Sequence, residues 1–206
     1  MPVSTVSIPV GQWFTSVEGT RWWFDSGSFA LDFAYTGALG GIGDGAASER
    51  LHAPDDLTAW LRERFPVAVG AARSRDLFDA TSLRGAIGRM AQSAAHGEPA
   101  RSADIDLVNL YAATPDIPPA LAGGSRQAGR SVQTVGQALS TIARDTVDLF
   151  DPANAERIRE CNGGDCTMVY LDTSRAATRR WCSMQRCGNR AKVRAHRARR
   201  AGQAVA

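Results

Sequence analysis

CNGGDCTMVYLDTSRAATRRWCSMQRCGNRAKVRAHRARR, residues 161–200, holds every cysteine of the chain, spaced as Cys161-x4-Cys166-x15-Cys182-x4-Cys187. Two close pairs divided by a medium spacer form the pattern of a four-cysteine zinc site. Each pair supplies two thiolates from one tight turn, and the spacer folds back so that a single Zn²⁺ meets all four tetrahedrally. Gly163 and Gly164 give the backbone between the first two ligands the freedom to curl round the metal. Four thiolates leave no open coordination position, so such a zinc is structural and not catalytic. Two disulfides, four unrelated buried thiols and an iron–sulfur cluster are the competing readings.

Within the spacer, Thr167–Leu171 reads as a strand, Asp172-Thr173-Ser174 as its turn and Arg179-Arg180-Trp181 as the returning strand. Ser183 is a good helix cap. Cys182 and Cys187 stand about 140° apart on an ideal helix, so Cys182 is expected just before the helix and Cys187 in its first turn. Beyond Cys187, alanine and arginine dominate, and both favour helix. Arg186, Arg190, Arg194 and Arg197 then line one stripe, beside a small face of Ala191, Ala195 and Ala198. A metal-anchored helix with an arginine stripe suits nucleic acid, through forks onto guanine or contacts to phosphate. Arg179, Arg180 and Lys192 are the candidates for further backbone contacts. The alternatives are a solvated basic tail and a basic helix that docks an acidic protein partner. His196 lies more than two turns beyond Cys187 and is expected as a surface histidine.

Charge divides along the same line. The whole chain of 206 residues carries +3, yet from Arg157 onward 12 Lys/Arg face three acids, a balance of +9, leaving −6 on residues 1–156. Even with zinc and four thiolates summing to −2, the terminal module stays near +7, as expected of a part that meets a polyanion.

Toward the N-terminus, residues 1–20 show no clear period and are expected as a loose arm or an edge strand. Arg21–Thr36 is aromatic-rich with a turn signal at Asp25-Ser26-Gly27; it reads as a hairpin, with a short helix as the alternative for its second half. Gly37–Gly45 is a glycine-dense loop. Helices follow from Pro54 to Pro66, from Ser74 to about His96, from Ser102 with Ile105, Val108, Leu110 and Tyr111 inward, and over Val132–Phe150 with Val135, Leu139, Ile142, Ala143 and Val147 aligned. A Pro/Gly-rich loop spans Thr114–Arg130. Hydrophobic residues make up 44% of the chain, enough for a sizeable core. The expected fold is a mainly α N-terminal domain over 21–150, with a short β-hairpin, plus a small α+β four-cysteine zinc finger over 157–201, a β-hairpin followed by a basic helix.

No glycine-rich phosphate loop is present. Asp25, Asp32, His52 and His96 are the only candidates for catalysis, and no spacing joins them, so an enzyme is not expected. There is no apolar run of membrane-spanning length and no secretory signal, which places the protein in the cytoplasm as an expectation, with no membrane partner.

Cys161-x4-Cys166, Tyr170-Leu171-Asp172-Thr173-Ser174, Arg179-Arg180-Trp181-Cys182-Ser183-Met184 and Cys187-Gly188-Asn189-Arg190-Ala191-Lys192-Val193-Arg194 together resemble the CGNR zinc finger. Ala30-Leu31-Asp32-Phe33 and Pro54-x-x-Leu57-x-x-Trp60-Leu61 look like patches of the stress-induced transcription regulator (ABATE-like) domain that usually precedes that finger. The family commonly reads Asp-Phe-x-Asn-Thr, whereas Tyr35 stands here before Thr36; a polar contact to a ligand made by that asparagine would be changed. The resemblance implies a zinc-dependent DNA-binding transcription regulator of the stress response. Its N-terminal domain would sense a small-molecule effector or form a homodimer.

Overall fold

In the computed structural model, residues 8–16, 19–37, 39, 49–118 and 132–203 are described. The expected glycine loop at 37–45 and the loop at 114–130 fall largely outside them. The chain opens on a hairpin, β1 (Gln12–Thr15) and β2 (Arg21–Phe24), antiparallel with Trp13 opposite Trp23 and Phe14 opposite Trp22. Side chains alternate across a strand. Phe14, Trp22 and Phe24 therefore point inward, while Trp13 and Trp23 meet edge-on outside, ring centroids 5.4 Å apart.

This corrects the expected hairpin over 21–36. The turn lies before Arg21, and Asp25-Ser26-Gly27 instead leads into a short helix, α1 (Phe29–Ala34), the alternative foreseen for that half. The partner strand comes from the segment expected as an arm or edge strand. Its two-residue alternation is too brief to stand out from the polar residues around it.

Four longer helices follow, α2 (Pro54–Arg64), α3 (Ser74–Ala95), α4 (Ser102–Ala112) and α5 (Val135–Leu149), then a single turn α6 (Pro152–Ala155). The α3 and α5 stripes pack as the periodicity predicts, with Leu83, Ile87, Leu139 and Ile142 fully buried. Val147 is the exception on α5, at 47% exposed. On α4 the inward face is rotated from the expected one. Val108 is buried as expected and Tyr111 half-buried, but Ile105 and Leu110 are exposed and Asp104 is buried instead. Asp104 accepts a fork from the Arg89 guanidinium of α3.

Asp32 ties the first elements together. Its carboxylate accepts the Gly11 N–H at 2.6 Å and the Ser26 hydroxyl at 2.7 Å, with Arg64 of α2 at 3.4 Å. The side chain is wholly buried, which raises its pKa to about 6 against the lowering effects of Ser26, Gly11 and Arg64. Asp145 of α5 likewise accepts the Ser28 hydroxyl and the Ala30 N–H, fixing the start of α1. Asp32 is thus an anchor between elements. Neither it nor Asp25 is brought together with His52 or His96, and His96 pairs with Glu160 at 2.9 Å.

The C-terminal part comprises β3 (Ile158–Glu160) and β4 (Val169–Leu171), a π-helical turn over Met184–Gly188, and α7 (Asn189–Gln203). Strands β3 and β4 are antiparallel, Ile158 opposite Leu171 and Glu160 opposite Val169. The hairpin therefore closes around the first cysteine pair. It does not use Arg179–Trp181 as its second strand, contrary to expectation, because residues 158–160 occupy that place beside β4. One continuous buried core joins both parts, from Phe14 and Tyr35 through Ile142 to Val169, Tyr170 and the cysteines.

Candidate metal centre and basic helix

The β3–β4 turn delivers Cys161 and Cys166. The Cys161 N–H bonds the Met168 carbonyl at 2.8 Å and so extends the ladder to the first ligand. Asp172 organises the spacer by accepting the Ser174 and Arg179 N–H groups. The chain then returns through Asn162 N–H to Arg180 carbonyl, which sets Cys182 against the first pair. Ser183 caps the following turn, its hydroxyl accepting the Gln185 N–H. That turn closes with an i→i+5 bond from Gly188 N–H to Ser183 carbonyl at 3.0 Å. Such a wide turn brings residues five apart onto one side, which solves the 140° problem of an ideal helix for Cys182 and Cys187.

All four sulfurs lie within 4.8 Å of one another, and all four cysteines are buried. Cys166 Sγ is 3.7 Å and Cys187 Sγ 3.6 Å from Cys182 Sγ. A tetrahedron with zinc–sulfur bonds of about 2.3 Å has edges of about 3.8 Å. The four cysteines fit a single structural zinc ion. The Cys182 N–H donates to Cys161 Sγ at 3.3 Å, a contact that holds a ligand thiolate in place. Interaction with Cys161, Cys166 and Cys187, together with burial, pushes the Cys182 thiol far above its ordinary value. A Cβ on Gly163 would lie 2.8 Å from Cys166 Cβ and 3.1 Å from Cys187 Sγ. This position needs the absence of a side chain as much as a flexible backbone.

The basic residues singled out from the sequence fall into distinct surroundings. Arg186, Arg190, Arg194 and Arg197 do share one side of the helix, where they line a groove of about 740 Å³. The opposite wall is the N-terminal hairpin, with Ser16, Thr20, Arg21 and Trp22. Arg186 lies 5.1 Å over the Trp22 ring. Arg190 and Arg194 reach toward Asp165 in the first cysteine loop, and Arg194 also donates to the Gly163 carbonyl at 2.7 Å. Lys192 and Arg197 are exposed, as is Arg180, which lies 5.2 Å over Trp181.

Arg179 is different. Its guanidinium donates to the carbonyls of Asp25, Trp181 and Cys182, and it lies 4.0 Å over the Tyr170 ring. Its Nε and Nη2 donors are engaged within the protein, and the bond to Asp25 ties the finger to the segment before α1. One residue escaped the sequence reading, and the role of a second, Tyr35, was only hinted at. Arg21 faces the arginine stripe across the groove, which no local pattern could reveal. Tyr35 reaches Val169 of β4, and the departure from the family's asparagine was the available signal.

Among the described residues, no helix is long and apolar enough to cross a membrane. The family model described as "Putative stress-induced transcription regulator" (ABATE) matches residues 27–151, and that of the CGNR zinc finger matches residues 157–200. Both are of regulator or zinc-finger type. No curated protein matches the chain.

Proposed function

The chain belongs to the ABATE family and carries a CGNR zinc finger, and from that premise we propose that it is a zinc-dependent, DNA-binding transcription regulator. The reading is carried by the row Arg186, Arg190, Arg194 and Arg197 on a helix whose first turn holds a zinc ligand. Zinc fixes the angle at which that row is presented, and a rigid helix at a set angle is how compact zinc modules meet DNA. Arg180 and Lys192 add contacts to the phosphate backbone. Arg179 acts from within, as a positioning residue. The helical N-terminal domain senses a small-molecule effector or forms a homodimer, and the protein works in the cytoplasm as part of a stress response.

One observation favours a second reading, docking of an acidic protein partner. Trp23 and Met184 are exposed at 39% and 50% beside Trp181 and Arg180, and apolar side chains next to a cation suit a protein surface. The deciding experiment maps DNA occupancy across the genome for the wild type and for Cys182→Ser. Discrete sites lost in the variant support the DNA reading. No discrete sites in the wild type, with an acidic protein co-purifying at low salt, would favour the second.

A further inference from the structure

The groove beside α7 has arginines on both walls. Arg186, Arg190, Arg194 and Arg197 form one, and Arg21, with Thr20 and Ser16, forms the other. No carboxylate is among the described residues that line it. Five guanidinium groups line this one cleft, Arg190 and Arg194 sharing Asp165, and cations gathered in a cleft focus their field toward a polyanion more than on an open surface.

The two walls are held at a fixed separation. Trp22 points inward from β2 at 2% exposure, stacks on Phe14 and receives Arg186 over its ring. Arg21, the next residue back, lies 4.5 Å over the outward ring of Trp13, which is itself braced by Trp23. No carboxylate among the described residues pairs with Arg21. A guanidinium held over an indole by cation–π attraction keeps N–H donors available for phosphate. On the other wall, Asp165 and the Gly163 carbonyl steady Arg190 and Arg194, so these side chains need little ordering when an anion arrives.

We infer that the N-terminal hairpin is the second half of the nucleic-acid interface. One strand of a duplex runs along the groove, its phosphates taken by Arg21, Thr20 and Ser16 on one side and by the α7 arginines on the other. The inference rests on the DNA-binding reading above and extends it to the strands Gln12–Thr15 and Arg21–Phe24, which lie N-terminal to both matched regions. It also fixes which side of α7 meets the nucleic acid.

The test uses the full-length, zinc-loaded protein and a fluorescent duplex of about 20 base pairs, titrated at several salt concentrations. One phosphate contact contributes a slope of about 0.9 to the dependence of affinity on salt, equivalent to about eightfold in affinity at 0.1 M. Arg21→Ala and Arg21→Gln should each show that loss and a slope shallower by about 0.9. Arg21→Lys should retain the slope. Arg75→Ala removes an exposed charge outside the groove and should change neither quantity. Unfolding temperature and zinc content, unchanged in the Arg21 variants, separate a lost contact from a damaged fold. If Arg21→Ala and Arg21→Gln bind as the wild type does while Arg197→Ala loses affinity and slope, the hairpin is not a wall of the site, though DNA binding by α7 stands. If the wild type binds no duplex, the DNA reading falls and takes this inference with it. Tighter binding to single-stranded RNA of the same length would overturn the duplex assignment.

Discussion

The hydroxyl of Tyr35 donates to the carbonyl of Val169 at 2.9 Å and accepts that residue's N–H at 2.8 Å. One side chain at the end of α1 thereby satisfies both backbone polar groups of a buried residue in the second strand of the finger. The ring is 2% exposed and packs edge-on against Phe24 and Phe14 of the hairpin. Where the family commonly has asparagine, this chain has a longer side chain that joins the two parts. Tyr35→Phe keeps the ring and removes both bonds, leaving a buried N–H and C=O without that partner. The expected cost is about 2 kcal/mol in urea unfolding, with one zinc per chain retained. A loss of zinc in this variant, or no change in stability, would contradict the assignment.

The zinc loop offers a sharper contrast between neighbours. Gly163 has ligand atoms at 2.8–3.3 Å from where a Cβ would stand, whereas a Cβ on Gly164 would approach only Arg194, at 4.0 Å. Gly164 instead has a left-handed backbone, φ +78°. Gly163→Ala should therefore weaken zinc binding by about tenfold or more in chelator competition, since it displaces ligands directly. Gly164→Ala should cost about 1 kcal/mol of stability through its backbone and leave zinc affinity within a few-fold of wild type. Equal losses of zinc affinity in the two variants would show that backbone freedom, and not space, is what the loop requires.

Cysteine spacing and the basic helix were legible because they are local: ligand pairs, the Ser183 cap and the Arg/Ala repeat all lie within a few turns of one another. So were α2, α3 and α5, whose apolar stripes recur along one segment. The pairing of β3 with β4 was not, since Ile158–Glu160 is too short to carry a period and Arg179–Trp181 resembles a strand equally well. On α4, Val108 was read correctly, but Ile105 and Leu110 were not, and Asp104 is buried beside a partner on another helix. Arg179 looked like a surface charge; only the fold shows three carbonyls around it. The groove between hairpin and α7 joins residues about 170 positions apart, and no pattern along the chain encodes that distance.

Asp32 gives the fold a dependence on pH whose sign can be worked out. Burial raises its folded-state pKa to about 6 from the ordinary 3.8. The folded protein therefore holds a proton on Asp32 that the unfolded chain releases between these values. Stability from this group is fully present below about pH 3.8 and is lost as pH rises through 6. In an Asp32→Asn variant the side-chain amide can still accept from Gly11 N–H but cannot ionise. The stability of the wild type relative to the variant should fall by up to about 3 kcal/mol between pH 4 and pH 7, measured by urea unfolding across that range. Parallel curves for the two proteins would mean that Arg64 and Ser26 keep the carboxylate ionised throughout.

Arg179 and Arg180 are adjacent cations with opposed employment, and their substitutions should separate stability from binding. The Arg179 fork reaches Asp25 carbonyl at 2.7 Å and Cys182 carbonyl at 2.5 Å while stacking on Tyr170. A lysine can place one ammonium near one of these carbonyls but cannot reproduce the planar, stacked fork. Arg179→Lys should lower stability by about 2 kcal/mol and quicken hydrogen exchange around Cys182, although the charge is unchanged. Arg180 is exposed, with its guanidinium over Trp181. Arg180→Ala should leave the unfolding midpoint nearly unchanged and make the salt dependence of duplex binding shallower by about 0.9. Should Arg179→Lys prove fully stable and instead lose affinity, the Arg179 guanidinium would have to leave the three carbonyls to meet DNA, and the finger would be held to the N-terminal domain by its other contacts, among them Tyr35 on Val169, the Leu171 N–H on the Ser26 carbonyl and the His96–Glu160 pair.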